Sequence, residues 1–198
     1  MKPPELRHIV PIALLMLAGV TRVHGQNVIK NGSFEKFTGN DPGGWVTSNI
    51  PNLLVTVSPS PKCHGGKLAV RCEVKDFHGT KMGGMIMQKD VEVRGKSMEL
   101  VGYYVLKSVG KDVGFISLEL QNADGNTVKI CNENLVTPAA EFTRFRMAGD
   151  IPAGAVRLDV KFALLAGEGS ESLHEGTYLL LDDLEIVPTS PEAVRNTP

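Results

Sequence analysis

Two acidic side chains lie near opposite ends of the chain, each beside strongly apolar residues. Glu35 follows Phe34 in the opening stretch NVIKNGSFE, and Asp182 lies inside the closing stretch TYLLLDDLEIVP. A carboxylate drawn into apolar surroundings needs hydrogen bonds, a base or a metal ion as its partner. Two carboxylates combined with backbone carbonyls form a hard oxygen site that suits calcium. The alternative is that both carboxylates only accept backbone hydrogen bonds.

The alternation of the closing stretch indicates which of its acids points inward. One set of alternate positions carries both Asp183 and Glu185, so it is predicted to be the wetter face. Asp182 then belongs to the inward set, which consists of Tyr178, Leu180, Asp182, Leu184 and Ile186.

No catalytic pattern accompanies these acids. A glycosidase needs two carboxylates across a groove, and Glu119 and Asp159 could form such a pair, but no local signature supports it. The string ESLHE, which contains His174, lacks the second histidine of a zinc peptidase helix. No serine has the sequence context of a nucleophile elbow. The sequence therefore predicts a protein that is not an enzyme.

Short runs of alternating apolar and polar residues, separated by turn sequences, must position these side chains. In FISLELQ the apolar set is Ile116, Leu118 and Leu120, and in VRLDVKF it is Val156, Leu158, Val160 and Phe162. About ten such runs, which include the opening stretch NVIKN, with no long helical period, predict an all-β, antiparallel β-sandwich. The polar rows are either a solvated outer face or the lining of a groove.

The two ends of the chain have different compositions from the rest. Residues 1–25 combine Lys2 and Arg7 with the apolar run IVPIALLMLAGV and small residues before Gln26, which predicts a signal peptide. An uncleaved membrane anchor is the alternative. We expect a β-sandwich domain over 26–188, a disordered tail over 189–198, and a secreted protein located in the periplasm or outside the cell.

Charge and cysteine content exclude several classes of partner. Removal of the predicted signal peptide leaves 18 basic and 21 acidic residues, a net charge of −3, so no nucleic-acid partner is expected. No second long apolar run exists, so no membrane association is expected after cleavage. Cys63, Cys72 and Cys131 are predicted to be structural thiols, and any pairing between two of them is left open. Cys72 alternates with apolar neighbours and should be buried.

The combination of NVIKNGSFE, GGW, CHGGKLAV and YLLLDDLEIV resembles the jelly-roll carbohydrate-binding modules of the cellulose-, xylan- and β-glucan-binding group, within the galactose-binding-like superfamily. The resemblance extends from Asn27 to Pro188. It implies a structural Ca²⁺ whose ligands are Glu35, the carbonyl of Ser33, a carbonyl near Lys67, and Asp182. It also implies that Trp45, in the GGW turn, packs at the end of the core.

The resemblance further implies a ligand cleft on a concave sheet, where aromatic rings contact sugar faces and polar groups bind hydroxyls. Tyr103 and Tyr104 are adjacent and point to opposite faces, so only one of them can lie in the cleft. We therefore expect a non-catalytic, calcium-stabilised module that binds a polysaccharide or glycan; the alternative is a structural or adhesive module without glycan binding. The candidate sugar-binding residues are Gln88, Tyr103, Tyr104, Glu119, Gln121, Arg157 and Asp159.

Overall fold

The computed structural model describes residues 27–188, which contain fourteen β-strands and no helix. The predicted signal peptide and the predicted disordered tail lie outside the described residues. In the described part of the chain, no helix is long and apolar enough to cross a membrane. The strands are β1 (Phe37–Thr38), β2 (Asp41–Pro42), β3 (Val46–Thr47), β4 (Val57–Ser60), β5 (Ala69–Glu73), β6 (Lys75–Phe77), β7 (Thr80–Met82), β8 (Met85–Glu92), β9 (Ser97–Lys107), β10 (Val113–Asn122), β11 (Thr127–Leu135), β12 (Ala139–Asp150), β13 (Ala155–Leu165) and β14 (Tyr178–Pro188).

Ten of these strands form two five-stranded antiparallel sheets. The front sheet has the order β11-β10-β13-β8-β3, and the back sheet has the order β12-β9-β14-β5-β4. From β8 onward the chain crosses between the sheets at every connection except the one from β10 to β11. Such crossings are typical of a jelly roll. The other four strands form two short hairpins, β1-β2 and β6-β7. The predicted all-β, antiparallel jelly-roll sandwich is confirmed.

The core lies between the two sheets and is built from the predicted apolar rows. Ile116, Leu118 and Leu120 of β10 are fully buried, and β13 contributes Leu158, Val160 and Phe162. Cys72 is also fully buried, as its alternation predicted, and burial raises the pKa of its thiol to about 12.

Trp45 closes one end of this core, as predicted. Its side chain is 7% exposed, and its ring centroid lies 5.4 Å from that of Phe34 and 6.5 Å from that of Phe162. The indole N–H donates a hydrogen bond of 3.0 Å to the carbonyl of Lys30. Trp45 therefore packs in the core and also anchors the opening segment.

The opening segment is the first departure from the prediction, because NVIKN is not a strand. Residues 28–33 form turns, with Asn31 at φ 50° and Phe34 at φ 49°. These left-handed conformations break an extended chain. Side chains supply partners that a sheet would have supplied: the N–H of Lys30, for example, donates to Gln88 Oε1 at 2.8 Å.

The closing strand is the second departure, because β14 changes phase at Asp183. Asp183 has φ 49°, and the register with β9 shifts between Asp182 and Glu185. A β-bulge inserts one residue and so exchanges the two faces beyond it. The core side chains of β14 are Leu179, Leu181, Leu184 and Ile186. The uninterrupted alternation predicted from the sequence was therefore wrong: Asp182 is buried, as expected, but it lies on the outer side of the back sheet.

Candidate functional site

The outer surface of the front sheet, here called the front face, brings together four of the predicted sugar-binding residues. Glu119 of β10 lies opposite Asp159 of β13, and Gln121 lies opposite Arg157. Directly opposed residues of an antiparallel pair share a face, with Cβ atoms about 5 Å apart. Glu119 also accepts a hydrogen bond from the hydroxyl of Thr127 on β11. The four residues form one polar cluster, and their role in binding stays a prediction.

Hydrogen bonds hold this polar cluster in place. Gln121 Nε2 donates to Asp159 Oδ2 at 3.4 Å, and the other oxygen of Asp159 accepts the backbone N–H of Asp90 at 3.0 Å. Arg157 Nη1 lies 3.5 Å from Asp90 Oδ1. Asp90 has φ 55°, and the register between β13 and β8 shifts beside it. The left-handed conformation of Asp90 therefore turns its own N–H group toward Asp159.

The front face also carries residues that the sequence analysis did not select. Phe115 and Ser117 continue the outward row of β10, and Lys161 lies opposite Ser117 with its Nζ 5.7 Å from the centroid of the Phe115 ring. Asn132 and Asn134 of β11 lie opposite Ser117 and Phe115. A signal for Phe115 was present, because it is two residues before Ser117 in the same alternation.

An apolar strip runs beside these polar groups. Val46 of β3 is 51% exposed, and Met85 and Met87 of the neighbouring β8 are half-buried. Ile130, which is 55% exposed, lies on β11 at the opposite edge of the sheet. Val46 lies opposite Met87, which in turn lies opposite Lys161. A sugar ring has apolar C–H faces and a polar rim, so an apolar strip bordered by hydroxyl, amide and charged groups can bind it.

Two of the predicted sugar-binding residues lie in the interior. Gln88 is 2% exposed, and its amide is occupied on both sides: Oε1 accepts the N–H of Lys30 at 2.8 Å, and Nε2 donates to the carbonyl of Lys30 at 2.9 Å. Tyr104 is 6% exposed, and its hydroxyl donates to the carbonyl of Thr137 at 3.2 Å. Both predictions are corrected, because these side chains point between the sheets and are already satisfied there.

The sequence left open which of the two adjacent tyrosines points away from the core. It is Tyr103, which lies on the outer side of the back sheet. It points outward from β9, which belongs to the back sheet. Its ring stacks on the His64 imidazole, with centroids 3.5 Å apart and planes 13° apart. Tyr103 is therefore outside the core, as one of the two tyrosines had to be, but it is not part of the front face.

The loop of residues 63–68 connects the two acids predicted to bind calcium. Glu35 Oε1 accepts the N–H groups of Lys67 at 2.8 Å and Leu68 at 3.1 Å. These two bonds lower the pKa of the Glu35 carboxyl from its ordinary value. Gly66 lies beside them at φ 66°, where a Cβ would collide with the Glu35 carboxylate. Ser33 is exposed in the preceding turn.

Asp182 reaches the same loop from the back sheet. Its Oδ2 accepts the N–H groups of His64 at 2.8 Å and Gly65 at 3.1 Å, and its Oδ1 accepts the N–H of Asp183 at 2.8 Å. Burial, with the neighbouring charge of Asp183, raises the pKa of the Asp182 carboxyl despite these bonds. His64 Nδ1 lies 2.7 Å from Asp183 Oδ2. The loop therefore covers Asp182 and contacts both Asp182 and Asp183 of the closing strand.

This arrangement does not supply the ligand set expected for calcium. Calcium takes six to eight oxygen ligands, whereas the loop turns N–H groups toward Glu35 and Asp182. At the predicted carbonyl position the observed contact is the N–H of Lys67, which donates to Glu35 Oε1. Within residues 27–188, no group of three or more His, Cys, Asp or Glu side chains is placed to hold a metal ion. The contacts correspond to the alternative of backbone hydrogen bonds, and calcium stays a prediction.

No protein-family model matches the chain, and no curated protein sequence does either. Solved structures do match. TmCBM61 in complex with β-1,4-galactotriose is 17% identical with TM-score 0.51, over 83% of this chain and 100% of that one. A family 16 carbohydrate-binding module is 18% identical with TM-score 0.52, over 82% and 100%.

The chain has the jelly-roll fold of carbohydrate-binding modules. The resemblance inferred from the opening and closing motifs is thereby confirmed at the level of fold. The same fold occurs inside a larger enzyme: the enzymatically active domain of tailspike protein 4 of bacteriophage CBA120 matches with TM-score 0.58 and 17% identity. That match covers 81% of this chain but only 21% of the tailspike chain. At these identities the likeness establishes the fold and not the ligand.

Proposed function

We propose that this carbohydrate-binding-module-like protein binds a polysaccharide or glycan on its front face without catalysis. The observation that carries the proposal is the presence, on one sheet surface, of an aromatic ring, an apolar strip and a cluster of hydrogen-bonding groups. The fold of the protein supports it, since TmCBM61 has this fold and its structure contains β-1,4-galactotriose.

The geometry suggests how a sugar would lie on the front face. Phe115 and Met87 offer apolar surface to the C–H face of a ring. Lys161 of β13 lies between them, opposite Met87 of the neighbouring β8 and beside the Phe115 ring, where its three N–H donors can reach ring hydroxyls. Glu119 and Asp159 provide acceptors on the next row. Acceptors and donors on adjacent rows can bind hydroxyl pairs of one sugar.

The placement of the two acids favours binding over hydrolysis. Glu119 and Asp159 are neighbours on the floor of a single sheet, whereas a glycosidase places its carboxylates on either side of the scissile bond. Both carboxylates already accept hydrogen bonds, Glu119 from Thr127 and Asp159 from Asp90 and Gln121. We therefore expect no release of reducing sugar from any polysaccharide that the protein retains.

Retention of the purified protein on a panel of insoluble β-glucan, xylan, mannan and β-1,4-galactan tests the proposal. We expect retention on one class of polysaccharide, weakened about tenfold in Phe115→Ala and also weakened in Lys161→Ala, with an unchanged melting temperature. Phe142→Ala is the matched control, because Phe142 is a half-buried phenylalanine on the back sheet. Retention on none of the four would reject the front-face site and favour a structural or adhesive module.

A further inference from the structure

Strand β11 (Thr127–Leu135) forms an open edge of the front sheet. Within residues 27–188, β10 is its one sheet neighbour. The strand is nine residues long, and Val128 and Ile130 on its outer side are 41% and 55% exposed. A long edge strand of this kind presents a row of N–H and C=O groups that can pair with a strand of another molecule.

The inward-facing side chains of β11 form a self-complementary charge pattern. Lys129, Cys131 and Glu133 lie opposite inward-facing residues of β10, so all three point toward the gap between the sheets. Lys129 and Glu133 are equally far from Cys131 along the strand. When two copies of β11 lie antiparallel with their Cys131 residues opposite each other, each Lys129 faces the partner subunit's Glu133.

Other antiparallel registers lose this complementarity. A twofold axis at Ile130 places Lys129 opposite the partner's Cys131, and an axis at Asn132 places Glu133 opposite the partner's Cys131. An axis at Lys129 or at Glu133 brings two like charges together, which is unfavourable in a cross-strand pair. Only the register centred on Cys131 makes two ion pairs.

We propose that two copies of this chain associate through β11 in the antiparallel register centred on Cys131. The contact is isologous, since the same strand serves both subunits, and it closes after two copies. A twofold axis perpendicular to the sheet keeps both sandwiches on the same side and joins the two five-stranded front sheets into one sheet of ten strands.

The contacts of β11 show where its charged side chains lie before pairing. Lys129 Nζ donates to the backbone carbonyl of Asp150 at 3.2 Å, so its ammonium group already lies at the opening between the sheets. Glu133 is exposed beside that opening, and Cys131 is half-buried next to Gly149 of β12. The partner subunit's Glu133 would enter the same opening that the Lys129 ammonium group occupies.

The dimer does not depend on glycan binding, but it would change that function. Both front faces would lie on the same side of one continuous sheet. A long polysaccharide could then contact two sites at once, which raises the effective concentration of the second site without any new contact. Failure of glycan retention and failure of dimerisation are therefore separate results.

Sedimentation velocity on charge variants tests the association. We expect a dimer for the unmodified protein, and dissociation constants raised at least about tenfold for Lys129→Glu and for Glu133→Lys, because each change turns both ion pairs into like-charge pairs. An equimolar mixture of the two variants should dimerise again, since an acidic edge then faces a basic one. Lys36→Glu and Glu171→Lys are exposed controls with the same charge changes.

Thiol oxidation tests the register itself. Opposed residues of antiparallel strands have Cα atoms about 4.5–5.5 Å apart, within the range of a disulfide. In a Cys63→Ser background, diamide should take up the hydrogens of two Cys131 thiols and leave a disulfide-linked dimer, which Cys131→Ser abolishes. A monomer at millimolar concentration, a dimer insensitive to both charge changes, or a mixture that stays monomeric would each overturn the proposal.

Discussion

The two outer faces of the sandwich differ in what their side chains already contact. On the front face, Phe115 is half-buried beside Lys161, and exposed apolar groups border the polar cluster. On the back face both tyrosine rings are covered by the chain itself: Tyr103 by His64, and Tyr178 by Arg71, whose guanidinium carbon lies 4.0 Å from the ring centroid. Aromatic residues alone therefore do not indicate a ligand surface, because a ring in close contact with another side chain offers less area to a sugar; the cation over Phe115 is farther away, at 5.7 Å.

Ion pairs between Glu73, Arg71 and Lys75 also cover part of the back face. Glu73 accepts Arg71 Nη2 at 3.1 Å and Lys75 Nζ at 2.9 Å. Burial by itself would raise the pKa of the Glu73 carboxyl, but Lys75 and Arg71 outweigh it and lower the pKa overall. Beneath this layer Leu180 and Val105 are each 1% exposed although they point away from the core cluster. The back face is thus packed for stability, whereas the front face keeps partly open groups.

The largest effect is expected from the back-face loop. Asp182→Ala removes the acceptor of the His64 and Gly65 N–H groups and should lower the free energy of unfolding by about 2–4 kcal/mol, measured by urea denaturation. Asp183→Asn is the neighbouring control, because it removes the charge of the surface pair with His64 while asparagine tolerates the left-handed conformation of this residue. Equal losses in both variants would show that the buried carboxylate has no special role.

A smaller effect, confined to binding, is expected from the front face. Phe115→Ala should weaken retention on the bound polysaccharide about tenfold, since one sugar ring loses its aromatic contact. Tyr103→Ala should leave retention unchanged because Tyr103 lies on the other sheet. If Tyr103→Ala weakens retention and Phe115→Ala does not, the assignment of binding to the front face is wrong.

The pH dependence of stability should reveal the lowered pKa of Glu35. A carboxylate with a lowered pKa stabilises the fold above its unfolded-state pKa, and this contribution is lost as the pH falls through the folded-state value. Glu35→Gln should therefore destabilise the protein most at neutral pH, with a difference that shrinks in acid. Urea titrations from neutral pH down to pH 3 measure this; a difference independent of pH would contradict it.

The smallest effect is expected from a chelator. Backbone N–H groups already donate hydrogen bonds to Glu35 Oε1 and Asp182 Oδ2. We therefore expect the melting temperature to be unchanged by excess chelator. A fall in melting temperature that added Ca²⁺ reverses would instead establish the calcium site predicted from the resemblance.

Much of the fold followed from local alternation. The inward row of β10, most of the inward row of β13 and the burial of Cys72 were predicted correctly, because a strand side chain's face depends on its position along a regular strand. Val156 was predicted to face inward but is 40% exposed, since the register of β13 with β10 is irregular there. The packing of Trp45 followed from the family resemblance and not from alternation. Glu35 and Asp182, from opposite ends of the chain, both reach the loop of residues 63–68; the resemblance had implied that they lie at one site.

Local alternation failed where the backbone was irregular or where the neighbouring sheet mattered. The bulge at Asp183 reversed the faces of the closing strand, and left-handed residues at Asn31 and Phe34 replaced the expected first strand with turns. Gln88 was not recognisable as a core residue, because its partners are backbone groups of Lys30 and Gly44. Those contacts depend on segments that are distant in the chain.

The sequence by itself determined which residues share a face of each regular strand, and hence the sandwich and its core. The tertiary structure alone decided which outer face is covered: the loop of residues 63–68 closes over Asp182, which is 118 positions from His64, and leaves the front face open. The physical reason is that side-chain alternation is a local property of the strand. Coverage instead depends on which distant segments the fold brings together.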